Sequence, residues 1–138
     1  MTEPVSYVLS PVPDHRFPSA HRLLTHAQYE RVFDRKSSVA DDTIVLYARE
    51  NELPHARLGM VVSRKQGNAV MRHRWKRLIR EAFRHGQGEA DDHGPMTIPA
   101  GLDLVVIPRR HCEPSLAKLQ RSLPTLARRL MARLEKGG

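Results

Sequence analysis

The sequence predicts a single α/β domain with the order helix–strand–strand–helix–strand–helix. Three observations carry that reading. The chain has 138 residues, enough for one domain with a real core and too few for two comfortable ones. Short β-branched runs are interleaved with longer segments whose apolar residues recur every three or four positions, the pattern of strands alternating with helices. A single cysteine, Cys112, excludes an internal disulfide framework, so the core must come from packing these elements together.

The elements follow in order. Residues 1–18 hold Pro4, Pro11, Pro13 and Pro18 with little periodicity and read as an irregular N-terminal arm ahead of one domain over 19–136. Ser19 is a suitable N-cap; Leu23, Leu24, Ala27, Val32 and Phe33 then recur at helical spacing and predict a helix over about 20–35. Asp41 and Asp42 precede Thr43–Arg49, a β-branched run that reads as a strand. A loop leads to Arg57–Ser63, a second strand expected to be the hairpin partner of the first. Asn68, after Gly67, caps a basic helix that runs to about Arg84. Four glycines, Gly86, Gly88, Gly94 and Gly101, make residues 85–101 a flexible loop. Leu102–Ile107 is a strand stopped by Pro108, and a last helix begins near Pro114. Its Leu116, Leu119, Leu123, Leu126, Leu130 and Leu134 form a stripe for the sheet, and Pro124 is expected to kink or interrupt it.

Charge is concentrated in one place. Residues 64–84 carry eight Lys and Arg against Glu81 alone, a net +7; residues 1–63 sum to −1 and residues 85–138 to +2. A soluble helix normally mixes both signs at i,i+4, so this bias points to a polyanionic partner. On a helical wheel Met71, Trp75, Leu78, Ile79 and Ala82 make one apolar stripe, with Arg72 and Arg74 flanking it. His73, Lys76, Arg77, Arg80 and Arg84 lie opposite. Guanidinium forks match phosphate oxygens, and the free amides at the helix start, next to Arg64 and Lys65, add to the anion-binding surface.

Three of the seven aromatics, Tyr29, Phe33 and Tyr47, admit two readings. Tyr29 and Phe33 share a helical face and Tyr47 is on a strand beneath, so they are either core or a platform for unstacked bases. The eight histidines have no zinc spacing. No phosphate-loop, Ser–His–Asp or paired-carboxylate pattern is present, so the chain lacks the parts of a stand-alone enzyme. The N-terminus lacks a secretory signal and no apolar run reaches the ~18–20 residues of a membrane span, which predicts a cytoplasmic protein with no membrane partner.

The stretch Arg57–Arg84 resembles the signature of the bacterial ribonuclease P protein component. That family shows a Val-Ser-basic-basic run, then Gly-x-Ala-Val, Arg-Asn-Arg and Lys-Arg-x-x-Arg-Glu. Here these stand as Val62-Ser63-Arg64-Lys65, Gly67-Asn68-Ala69-Val70, Arg72-His73-Arg74 and Lys76-Arg77-Leu78-Ile79-Arg80-Glu81. His73 replaces the usual central Asn. A weaker similarity over Arg22–Ala48 covers the helix bearing Tyr29 and Phe33 and the strand bearing Tyr47.

The resemblance implies a two-layer α+β sandwich like those of some ribosomal proteins. It also implies a left-handed strand–helix–strand crossover, against the right-handed rule that holds in ~98% of cases. It implies the accessory subunit of ribonuclease P, an endoribonuclease that removes the 5′ leader of precursor tRNA. The catalytic RNA, with magnesium at the RNA and the RNA–protein interface, carries the chemistry, and the protein binds that RNA 1:1. Arg64, Lys65, Asn68, Arg72, His73, Arg74, Lys76, Arg77 and Arg80 are the expected contacts to the catalytic RNA. Tyr29, Phe33, Tyr47, Arg64 and Lys65 are the expected contacts to the leader. The rivals are a ribosomal or RNA-chaperone protein on the same fold, a DNA-binding module and an independent protein nuclease.

Overall fold

A computed structural model describes residues 19–86 and 97–137. The expected N-terminal arm, and residues 87–96 of the expected loop, lie outside the described residues. After a 3₁₀ turn at Ser19–His21 come α1 (His26–Asp34), β1 (Ser38–Ala40), β2 (Ile44–Glu50) and β3 (Arg57–Met60). A second 3₁₀ turn (Arg64–Gln66) leads to α2 (Ala69–Gly86), β4 (Leu102–Pro108) and α3 (Leu116–Gly137). The result is an α+β fold on one mixed sheet in the order β1-β2-β4-β3.

The hairpin expected between the second and third of these strands does not form. β4 lies between them, antiparallel to β2 and parallel to β3. The reason is burial. Leu102, Leu104, Val105 and Val106 are all buried, and a strand buried on both faces takes the centre of a sheet. The parallel β3–β4 pair then needs a long crossover, which α2 supplies. The six-residue connection 51–56 also lacks a two-residue hairpin turn; Asn51 instead bridges Leu53 N, His55 O and Asp103 Oδ1.

Three boundaries also move. α1 is capped by Thr25, not Ser19: Gln28 N donates to Thr25 Oγ1 at 3.2 Å while Thr25 N donates to Gln28 Oε1 at 3.0 Å, a capping box. β1, three residues long, is an element beyond those expected from the sequence; the Asp41 carboxylate makes its turn by accepting from Thr43 N and Ile44 N. α3 starts after Ser115, and Pro124 sits inside it without ending it. Leu119, Leu123, Leu126 and Leu130, on either side of that proline, are buried on one face, which holds the helix together across the lost hydrogen bond.

Strand alternation divides the core. Ile44, Leu46, Ala48, Leu58, Met60, Leu102, Leu104 and Val106 face α2 and α3 in the main cluster. The opposite face carries Val61 and Val105, with Tyr47 and Ile107 partly buried, and α1 covers it through Tyr29 and Val32. α1 can come this close because residue 59 is glycine. A Cβ there would lie 2.8 Å from both Cε2 and Cζ of Tyr29 and 2.9 Å from Leu23 Cδ1. Gly59→Ala is therefore expected to destabilise the fold by about 1–3 kcal/mol through overpacking. Urea unfolding should show a lower midpoint at unchanged slope.

Candidate nucleic-acid interface

The interface begins where β3 gives way to α2. Ser63 N donates to Gln66 Oε1 at 2.7 Å and Lys65 N donates to Ser63 Oγ at 3.2 Å, closing the 64–66 turn on itself. Gln66 Nε2 then donates to Pro108 O at 3.0 Å. This ties the turn to the end of β4 and presents Arg64 and Lys65, both exposed, beside the sheet. Gly67 has φ +118° and would bring a Cβ to 3.1 Å from the Met71 side chain, so the turn requires glycine. Asn68 Oδ1 accepts from Met71 N at 2.9 Å and starts α2 as an N-cap.

α2 presents two different sides. Trp75, Ile79, Ala82 and Phe83 are buried, with Met71 and Leu78 packed at the margin. His73, Arg74 and Arg77 are exposed, while Arg72, Lys76 and Arg80 are half-buried. These last three follow at i,i+4, a like-charge row that costs helix stability on its own. Burial, and then the charges of Arg72 and Arg80, lower the Lys76 pKa from its ordinary value. The one acid of residues 64–84 is bonded toward the C-terminal end of the helix. Glu81 accepts from Arg84 Nη2 at 2.5 Å and from His85 Nε2 at 2.8 Å, and those two partners hold its carboxyl below the usual range.

The other face of the sheet carries a half-buried apolar strip beside α1. Phe33 on α1 and Tyr47 on β2 meet edge to face, with centroids 5.0 Å apart and planes at 76°. Both are half-buried, so each keeps an open surface. Val45 and Ile107, paired in register, are half-buried on the same face and continue the apolar strip toward the 64–66 turn. Sequence reasoning missed both. Alternation along β2 could have singled out Val45, but Ile107 needs the β2–β4 register.

Tyr29 does not take the place expected of it. Its ring is fully buried against Gly59, and its hydroxyl accepts from Met60 N at 3.1 Å. It fixes α1 to the sheet and, fully buried, presents no stacking surface; Met60 N supplies the partner that a buried phenol needs. The structure thus brings Phe33 and Tyr47 together and puts Arg64 and Lys65 at the strand ends. Arg72, His73, Arg74, Lys76, Arg77 and Arg80 belong to the helix on the other face.

Among the described residues no three His, Cys, Asp or Glu side chains converge as a metal site. The buried Asp103 is engaged by Arg57 and Asn51, and Asp41 by Ser122 and two backbone amides. Neither carboxylate is arranged to hold a divalent cation. Among the described residues no helix is long and apolar enough to cross a membrane.

Comparisons with known proteins agree with one another. The family model described as Ribonuclease P matches residues 17–131. A ribonuclease P protein component from Brevibacillus brevis is 45% identical over 106 residues, covering 75% of this chain and 78% of that protein. The structure of the Staphylococcus aureus RNase P protein superposes with a TM-score of 0.64 at 32% identity, over 80% of this chain and 94% of that one. The RNase P protein from Thermotoga maritima gives a TM-score of 0.64 at 32% identity, over 78% and 96%.

Proposed function

The chain belongs to the ribonuclease P protein family, and from that premise we propose that it works as the accessory subunit of the endoribonuclease that matures the 5′ end of tRNA. Its α2 face and the 64–66 turn bind the catalytic RNA, one protein to one RNA, in the cytoplasm. Phe33 and Tyr47, with Arg64 and Lys65 at the strip's end, hold the single-stranded 5′ leader of precursor tRNA. The RNA performs the hydrolysis, and magnesium is carried by the RNA and the RNA–protein interface. The observation that carries this reading is the row Arg72–Lys76–Arg80, three cations at successive i,i+4 positions where burial and then mutual repulsion lower the Lys76 pKa. Such a row is stabilised when phosphates approach, and binding of this kind falls with salt as counterions are released.

The physical division of labour follows from the two sheet faces. α2 docks the protein on a large RNA, while on the opposite face the half-buried margin beside α1, at Phe33, Tyr47 and Ile107, stays open to a strand. Stacking on Phe33 and Tyr47 is indifferent to base identity because every base has a π-face, which suits leaders of differing sequence. The test is reconstitution. At low magnesium the protein should restore leader removal to ribonuclease P RNA, and RNA-free protein should cut nothing. Tyr47→Ala should stay folded and lose about 1–3 kcal/mol of affinity for leader-bearing substrate, while binding of mature tRNA holds. Early melting, or equal loss for both substrates, would place Tyr47 in the core and the leader elsewhere.

A further inference from the structure

Beyond the aromatic pair, the same sheet face ends in a cluster of three charged side chains from three strands. Arg49, Asp103 and Arg57 are aligned by register, Asp103 opposite Arg49 on one side and Arg57 on the other. Asp103 is buried. Its carboxylate accepts from Arg57 Nε at 2.7 Å, from Arg57 Nη2 at 2.6 Å and from Asn51 Nδ2 at 2.9 Å. These bonds take three of its roughly four acceptor sites, two on Oδ1 and one on Oδ2. Arg49 lies next to it, Nη1 to Oδ2, at 3.9 Å, too far for a hydrogen bond.

Arg57, Arg35 and Arg49 are therefore not equivalent. Arg57 is forked onto Asp103, and Arg35 is forked onto Glu50 at 3.1 and 3.4 Å. Arg49 is held in place by the Asp103 charge, yet its own donors make no hydrogen bond among the described residues, and a third of its side chain is exposed (33%). It also follows Tyr47 by two positions on β2, so both project from the same face about 6–7 Å apart. That step matches the spacing of neighbouring phosphates in an extended single strand.

We infer that Arg49 is a phosphodiester-binding subsite, one nucleotide beyond the base on Phe33–Tyr47 and on the side away from the Arg64–Lys65 turn. Asp103 is its positioning residue. Arg57 and Asn51 hold the Asp103 carboxylate in a fixed orientation, so the guanidinium is pre-placed and an incoming phosphate meets donors that need not leave another partner. The strip then has cations at both ends, which draws a strand along it rather than pinning it at one point. This rests on the reading of the strip as the leader site.

The experiment is a leader-length series with the reconstituted holoenzyme, lengthening the precursor tRNA leader one nucleotide at a time. Arg49→Gln should match the unaltered protein on the shortest leaders. Beyond a threshold length it should bind roughly tenfold more weakly, the loss expected for one hydrogen-bonded charge. Its salt slope on long leaders should fall by about 0.7, one single-strand phosphate contact. Arg49→Lys should keep the salt slope, and the melting temperatures of both variants should be unchanged. A Tyr47→Ala loss that depends on the leader, alongside an Arg49→Gln variant equal to the unaltered protein at every length, overturns the subsite alone. No leader-dependent loss in either variant overturns the subsite and the leader site together. A loss by Arg49→Gln that is equal at all lengths overturns the subsite, because the residue would then act elsewhere than on the leader.

Discussion

Replacing Arg72 and Arg74 together with alanine should weaken binding to the catalytic RNA by about two to four orders of magnitude. The estimate takes two hydrogen-bonded charges at about 1.5–3 kcal/mol each. Arg72 is half-buried and Arg74 exposed, and they leave α2 on either side of its buried stripe, so together they grip across the helix. The fold should not suffer, because alanine is the better helix former and neither side chain belongs to the core. Salt dependence separates contact from general charge. Two lost phosphate contacts should lower the slope of log K against log salt by about 1.4–1.8. The control is Arg128→Ala with Arg129→Ala on α3, which removes the same charge from another exposed helix. If the two double variants lose equal affinity, only net charge matters and the α2 face is not the docking surface.

Legibility from the sequence tracked the range over which each feature is determined. The α2 stripe was readable because a 3.6-residue period fixes Trp75, Ile79 and Ala82 on one face whatever they pack against. The Asn68 cap was readable for the same local reason. Thr25 was equally local, since Thr25-x-x-Gln28 is a capping box; the leucines ahead of it drew the predicted helix too far upstream. The β2–β3 hairpin failed because strand neighbours are chosen by burial across the whole sheet, and β4 is the most buried strand. Tyr29 and Phe33 share a helical face, but only the glycine at position 59 decides that the first sinks into the core while the second stays at the rim. The cluster of Arg49, Asn51, Arg57 and Asp103 was invisible. Its carboxylate stands 46 residues from Arg57 and 52 from Asn51 in sequence, and only the strand register joins them.

A single substitution in that cluster should also do heavy harm to the fold. Asp103→Ala should cost about 3–4 kcal/mol. Removing one partner of a buried pair leaves the other charge uncompensated, and such losses run at about 3–5 kcal/mol; the lower part of that range applies because Arg57 keeps 18% of its side chain exposed. Asn51 would lose its acceptor as well. In a domain of this size the melting temperature should fall by about 10 °C. Asp103→Asn should fall between, since an amide oxygen can still accept from Arg57 but carries no charge. The decisive variant is Asp103→Leu with Arg57→Met. Paired apolar replacement of a buried ion pair is often neutral or stabilising, so this double variant should recover most of the stability lost by Asp103→Ala. Recovered stability would not bring recovered leader binding, because Arg49 would have lost the carboxylate that positions it. If Asp103→Ala melts like the unaltered protein, the cluster does not hold the three strands together and the pairing across β2, β4 and β3 alone suffices.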